Sequence, residues 1–162
     1  MQWIICHGDI LDLKADALIC SANVQLNLSG GVGGAILVRY GDQMQKELRQ
    51  YLSERKISVV SPGTIVKTSS CETPFSVVFL DSFYETSHEL LLSTLRRALA
   101  LCSENGTETV ALIALATGYG RYSLKEFALV LKDLKAENFP DLKSVTVCLR
   151  NEYDAAELMS EK

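Results

Sequence analysis

Short runs of consecutive apolar residues alternate along this chain with longer segments in which apolar residues recur every three or four positions. The short runs lie at 3–6, 17–20, 64–68, 76–80, 109–116 and 144–149. Several are apolar at every position rather than at every second one, which suits strands covered on both faces by helices. Strands and helical segments in alternation predict an α/β layer fold with a central, buried, largely parallel sheet.

The spacing predicts three longer helices and a short one. The first spans about 33 to 55, with Leu37, Tyr40, Met44, Leu48 and Tyr51 on one stripe. The second opens at Thr86-Ser87-His88-Glu89, a capping-box pattern in which hydroxyl and carboxylate satisfy each other's free backbone donors, and turns Leu91, Leu95, Ala98 and Cys102 towards the sheet. The third opens with a second such box, Ser123-Leu124-Lys125-Glu126. It carries Leu124, Phe127, Leu131 and Leu134 inward and is closed by Pro140. A last helix at 154–159 is expected to pack on an edge of the sheet. Turn chemistry at Ser61-Pro62-Gly63 and Asn105-Gly106 only separates helix from strand, so one domain over residues 1–162 is expected.

Composition narrows the partners. A chain of 162 residues, 48% apolar, buries a full core. A net charge of -4 argues against general affinity for nucleic acid, which depends on clustered Lys and Arg releasing counterions. An acidic protein that binds an anion does so locally. The five cysteines are widely spaced, with no Cys-x-x-Cys pair to hold zinc or carry redox chemistry. Reduced thiols, no basic leader before an apolar run and no stretch near the roughly 20 apolar residues of a membrane span predict a cytoplasmic protein. No metal or cofactor is implied.

The candidate chemistry clusters at strand ends. Asp9 follows Gly8 after the first strand, where a carboxylate accepts a hydrogen bond from the adenine amino group and rejects the oxygen of guanine; the alternative is a turn-stabilising Asp. Asn23 ends the second strand, and its amide offers donor and acceptor to a ribose diol or else forms a turn. Gly30-Gly31-Val32-Gly33-Gly34 lets backbone approach a phosphate at the start of a helix whose dipole favours an anion. It is not the triphosphate loop, since no Gly-Lys-Ser/Thr follows, nor the Gly-x-Gly-x-x-Gly pattern, since Ile36 takes the third glycine position. A second loop, Ala116-Thr117-Gly118-Tyr119-Gly120-Arg121, follows the most apolar strand. Two such loops at the carboxyl ends of neighbouring strands grip a diphosphate from both sides. Tyr119 leans on a distal ribose or acts as a lid or packing residue, and Arg121 meets the anion or solvent. His7 and His88 read as structural, and Cys20 as a small packed thiol.

These motifs together resemble the macro domain family, whose members bind ADP-ribose. The resemblance covers Gly8-Asp9-Ile10, the strand from Asp16 to Asn23, the first glycine loop, Pro62-Gly63-Thr64, and Thr117-Gly118-Tyr119-Gly120 with the helix start from Leu124 to Ala128. It implies a three-layer α/β/α fold with a central mixed, largely parallel sheet. It also implies that Asp9 holds adenine, that Gly30, Gly31, Val32 and Gly33 wrap the diphosphate with Thr117, Gly118 and Tyr119, and that Asn23 meets the distal ribose. Ile10, Ala22, Ala116, Gly120 and Arg121 complete the candidate contacts. Arg150 stands near the position of an adenine-stacking aromatic, where its guanidinium plane either stacks on the purine or pairs with Glu152.

The same resemblance exposes departures. Hydrolytic members end the strand Asn-Ala-Ala-Asn and read Gly-Gly-Val-Asp-Gly-Ala-Ile-His in the loop; here Cys20 replaces the first Asn, Gly33 the Asp and Leu37 the His. Some viral macro domains that cleave ADP-ribose from proteins also lack that Asp and rely on the distal-ribose Asn and a phosphate-held water. Three readings follow: a module that binds free or protein-attached ADP-ribose, an ADP-ribosyl hydrolase or O-acetyl-ADP-ribose deacetylase using Asn23, and a non-binding scaffold. The first leads, because the loops are present and the acid–base groups are not.

Overall fold

The computed structural model describes residues 1–69, 75–80, 86–115, 117 and 122–160, with backbone alone for 76–80. β1 (Gln2–His7), β2 (Ala17–Ser21), β3 (Ile65–Thr68), β4 (Ser76–Leu80), β5 (Thr109–Ile113) and β6 (Ser144–Leu149) form one sheet in the order β1-β6-β5-β2-β4-β3. The first five strands of that order run parallel to their neighbours, and β3 lies antiparallel to β4 at one edge. The sheet is therefore mixed and largely parallel, as expected.

β2 shows why an unbroken apolar run belongs at the centre. Ala17 and Ile19 point into one core, Leu18 and Cys20 into the other, and none of the four reaches solvent. The first core is covered by α3 (His88–Glu104), α4 (Leu124–Lys135) and α5 (Glu152–Ser160). The second is covered by α1 (Gly31–Tyr40), α2 (Gln43–Arg55) and a single 3-10 turn, Ile10–Asp12. Three layers result. In α3, Leu91, Leu95, Ala98 and Cys102 are buried as their spacing predicts, and in α4 Phe127, Leu131 and Leu134 are buried while Leu124 packs at the rim. Fully burying one such side chain contributes about 1.5–3 kcal/mol. α5 rests on β6 and the edge strand β1.

Several boundaries differ from the sequence reading, four of them with a visible cause. The helix expected over 33–55 is two helices, because Gly41 adopts φ +84 and its N–H closes α1 on the Leu37 carbonyl. The α3 cap is Ser87, which accepts from the Leu90 N–H at 3.1 Å, and not the Thr86/Glu89 box. The Ser123/Glu126 box does form, with both reciprocal bonds in place. α4 ends at Lys135, well before Pro140, and β5 ends at Ile113 rather than 116, because the chain turns there with Leu115 N–H on the Ile113 carbonyl.

Candidate ligand-binding site

Parallel strands put all their carboxyl ends on one edge of the sheet. β1, β6, β5 and β2 deliver to that edge, in order, Gly8-Asp9, Arg150, the turn that Thr117 closes, and Ala22-Asn23. Three strand spacings separate β1 from β2, about 14 Å in all. Asp9, Arg150, Thr117 and Asn23 thus follow neighbouring strands along one edge.

At the β1 end, Gly8 at φ +132 turns the chain out of the strand while its N–H donates to the Leu149 carbonyl at 2.8 Å, one step beyond the last strand pair. One step further along that register, Gly8 comes level with Arg150, and Asp9 follows it. Asp9 caps the 3-10 turn, with Oδ1 accepting from the Leu11 N–H at 2.9 Å. The turn-forming role and the ligand-binding role are therefore not exclusive, because Oδ2 has no partner among the described residues and the residue is exposed. Ile10 behind it is buried. Arg150 is exposed, and among the described residues no ion pair joins it to Glu152.

The first glycine loop opens α1. Gly30 is the cap and supplies no side-chain bond, and its carbonyl accepts the first helical N–H, that of Gly34, at 3.0 Å. The amides of Gly31, Val32 and Gly33 precede the helical ladder and have no partner among the described residues, as at any helix start. Gly31 takes φ +53, a conformation that costs a side chain about 1–2 kcal/mol. Gly33 is buried: a Cβ there would lie 3.1 Å from Leu28 Cδ2 and 3.4 Å from Leu28 Cα. The position that carries an acid in the hydrolytic pattern is thus walled by Leu28. Leu37, at the place of the His, packs against the second core.

Asn23 corrects one expectation. Its Oδ1 accepts from the N–H groups of Gln25 (3.0 Å) and Asn27 (2.9 Å), so it is not a two-way partner for a diol. What remains for a ligand is the Nδ2 donor pair, which has no partner among the described residues. Ala22 beside it is buried. Thr117 closes the turn after β5, with Oγ1 donating to the Ala114 carbonyl at 2.6 Å. Ala116, Gly118, Tyr119, Gly120 and Arg121 lie outside the described residues.

The remaining candidates for chemistry are structural. Burial pushes the Cys20 thiol up to about 12, which keeps it protonated and unreactive as a nucleophile. His88 joins α3 to α4 through Asp133 at 2.7 Å. Among the described residues no three His, Cys, Asp or Glu side chains are grouped to hold a metal, and no helix is long and apolar enough to cross a membrane.

The Macro domain family profile matches residues 19–131. The chain belongs to the Macro domain family. A macro domain-containing protein encoded in the sno 5' region of Streptomyces nogalater is 34% identical over 131 residues, spanning 78% of this chain and 72% of its own. An uncharacterised protein of Sulfurisphaera tokodaii is 32% identical over 154 residues, spanning 91% and 84%. Among solved structures, the Oceanobacillus iheyensis macrodomain with ADP superposes with a TM-score of 0.86 at 23% identity, over 95% of this chain and 86% of that one. The Trypanosoma brucei macrodomain in complex with ADP-ribose gives 0.83 at 20% identity, over 98% and 68%.

Two groups in this macro domain escaped the sequence reading. Gln45 of α2 is buried and bonds the Leu28 N–H and the Leu26 carbonyl of the loop after Asn23, and Arg39 of α1 reaches Asp12 at 2.9 Å, tying α1 to the 3-10 turn. In sequence Gln45 is one of several Gln in a polar helix. Only its place beside Met44 on the inward stripe could have marked it.

Proposed function

We propose that this macro domain binds ADP-ribose, free or attached to protein, as a recognition module. The observation that carries the reading is a set of polar groups with no partner among the described residues: Asp9 Oδ2 after β1, the first amides of α1, and Asn23 Nδ2 after β2. Asp9 would accept from the adenine amino group, with the Arg150 guanidinium against the purine face. The amides of Gly31, Val32 and Gly33 would take the diphosphate at the positive end of α1, together with Thr117. Asn23 Nδ2 would donate to a distal ribose hydroxyl. Macrodomains of the same fold solved with ADP and with ADP-ribose support the choice of ligand.

Recognition is favoured over hydrolysis because Gly33 and Leu37 bring no acid or base to the distal end, and Leu28 fills the space beside Gly33. A mono-ADP-ribosylated protein, incubated with a molar equivalent of this chain and followed by intact mass, tests the choice. Retention of the modified protein on the immobilised chain with no loss of the ADP-ribosyl mass is the expected result. Catalytic release that disappears in Asn23→Ala would replace recognition with hydrolysis.

A further inference from the structure

We propose that Gln45 is the positioning residue for the distal-sugar end of the site, holding the loop from Asn23 to Gly30 in the one shape that leaves the Asn23 amide nitrogen facing the ligand. This rests on the ADP-ribose reading above.

Gln45 is 5% exposed, and both ends of its amide are used on the same loop. Oε1 accepts from the Leu28 N–H at 2.7 Å, and Nε2 donates to the Leu26 carbonyl at 2.9 Å. A primary amide that bonds an N–H and a C=O two residues apart does what an adjacent strand would do. Among the described residues no strand pairs with this loop, whose start is met by the Val60 N–H on the Val24 carbonyl at 2.8 Å. The restraint matters because Leu26 sits at φ +57, a left-handed conformation costly for a residue with a branched side chain. Two contacts hold it there besides its own burial: the Gln45 donor on its carbonyl and the Asn23 carbonyl on its N–H at 2.8 Å.

Each consequence runs towards the ligand. With Leu26 left-handed, the chain doubles back so that the N–H groups of Gln25 and Asn27 converge on Asn23 Oδ1. That fixes which way the amide points and reserves Nδ2 for the sugar. Further along, Leu28 is held against the buried face of Gly33, which sets the start of α1 relative to the loop. Removing the Gln45 amide strands a buried donor, the Leu28 N–H, and a buried acceptor, the Leu26 carbonyl, until the loop relaxes. Relaxation releases Leu26 from its left-handed state and frees the Asn23 amide to turn. Among the described residues, the adenine end, built on β1 and β6, shares no hydrogen bond with this loop.

The test compares affinities of wild type and Gln45→Met for ADP-ribose and for AMP by calorimetry, with amide hydrogen exchange of Leu28 in the ligand-free proteins. Met keeps the length of Gln and removes both hydrogen bonds. The expected result is ADP-ribose affinity lowered about tenfold, AMP affinity within about twofold, and faster exchange at Leu28. Equal losses for the two ligands, or no loss for either, would overturn the positioning role and make Gln45 a structural residue. A wild-type protein that binds AMP but gains nothing from the distal ribose overturns this inference alone, whereas one that binds neither ligand overturns the ADP-ribose reading with it. Should Gln45→Met give no cooperative melt, Gln45→Glu, which keeps the acceptor for Leu28 and loses the donor to Leu26, reads the same split.

Discussion

The proposed function gives the two oxygens of Asp9 two jobs, and substitutions separate them. Asp9→Asn retains an acceptor for the Leu11 N–H, so the 3-10 turn and the melting temperature are expected to change little, while loss of the carboxylate weakens ADP-ribose binding about tenfold. Asp9→Ala loses binding and also about 1 kcal/mol of stability, measured by thermal unfolding. Equal binding by Asp9→Asn and wild type would remove Asp9 from the site. The thiols behave differently. Cys20 is fully buried and held up to about 12, and Cys102 is held up to about 11 by burial, so both are expected to escape alkylation at pH 8 in the native protein while the half-buried Cys6 reacts. Peptide mass spectrometry after brief iodoacetamide treatment reads this directly. At this scale Asp9, Asn23 and the glycines stand out in the sequence as candidates because spacing from a strand end marks them. Gln45 was not, because its importance lies in a backbone conformation at Leu26 that no local pattern announces.

The elements carry their own tests at their caps. Ser123→Ala removes a capping box and is expected to cost about 1 kcal/mol, a fall of roughly 2–4 °C in melting temperature. Ser87→Ala should cost a similar amount and Thr86→Ala little, since Ser87 is the residue that caps α3; the reverse order would restore the Thr86 box. The sequence carried both signals, Thr and Ser in adjacent positions, and only the entry angle of the chain selects between them. Much the same holds for α1 and α2. Their apolar stripe runs through Gly41 without interruption, so periodicity reads one helix, whereas the positive φ of that glycine ends α1 and redirects α2 against β3. β5 stops early for the opposite reason: Ala114 and Leu115 stay apolar because the turn that carries Thr117 is itself packed on the core.

For the molecule as a whole, the legible part was the layering, because a strand such as β2, apolar at every position, has few places to go but the middle of a sandwich of helices. The order of the strands was not legible, yet it is the order that brings the ends of β1, β6, β5 and β2 into one row. Stability should fall at alkaline pH. Cys20 and Cys148 are raised from 9.0 to about 12 and Cys102 to about 11, chiefly by burial, so the folded state keeps protons that the unfolded chain releases. That stabilisation is complete below pH 9 and is lost as the pH rises towards 11 and 12; melting curves from pH 8 to 11 should show a progressive decline that is smaller in Cys20→Ala. The central claim is that the strand-end row is an ADP-ribose site. A calorimetric titration of the wild-type protein with ADP-ribose, alongside ADP and Asp9→Asn, tests it most directly. Saturable micromolar binding that weakens when the distal ribose is absent and weakens again in Asp9→Asn is the predicted result. No heat with ADP-ribose and no shift in melting temperature at millimolar ligand would contradict it, leaving a macro domain whose strand ends hold no such ligand.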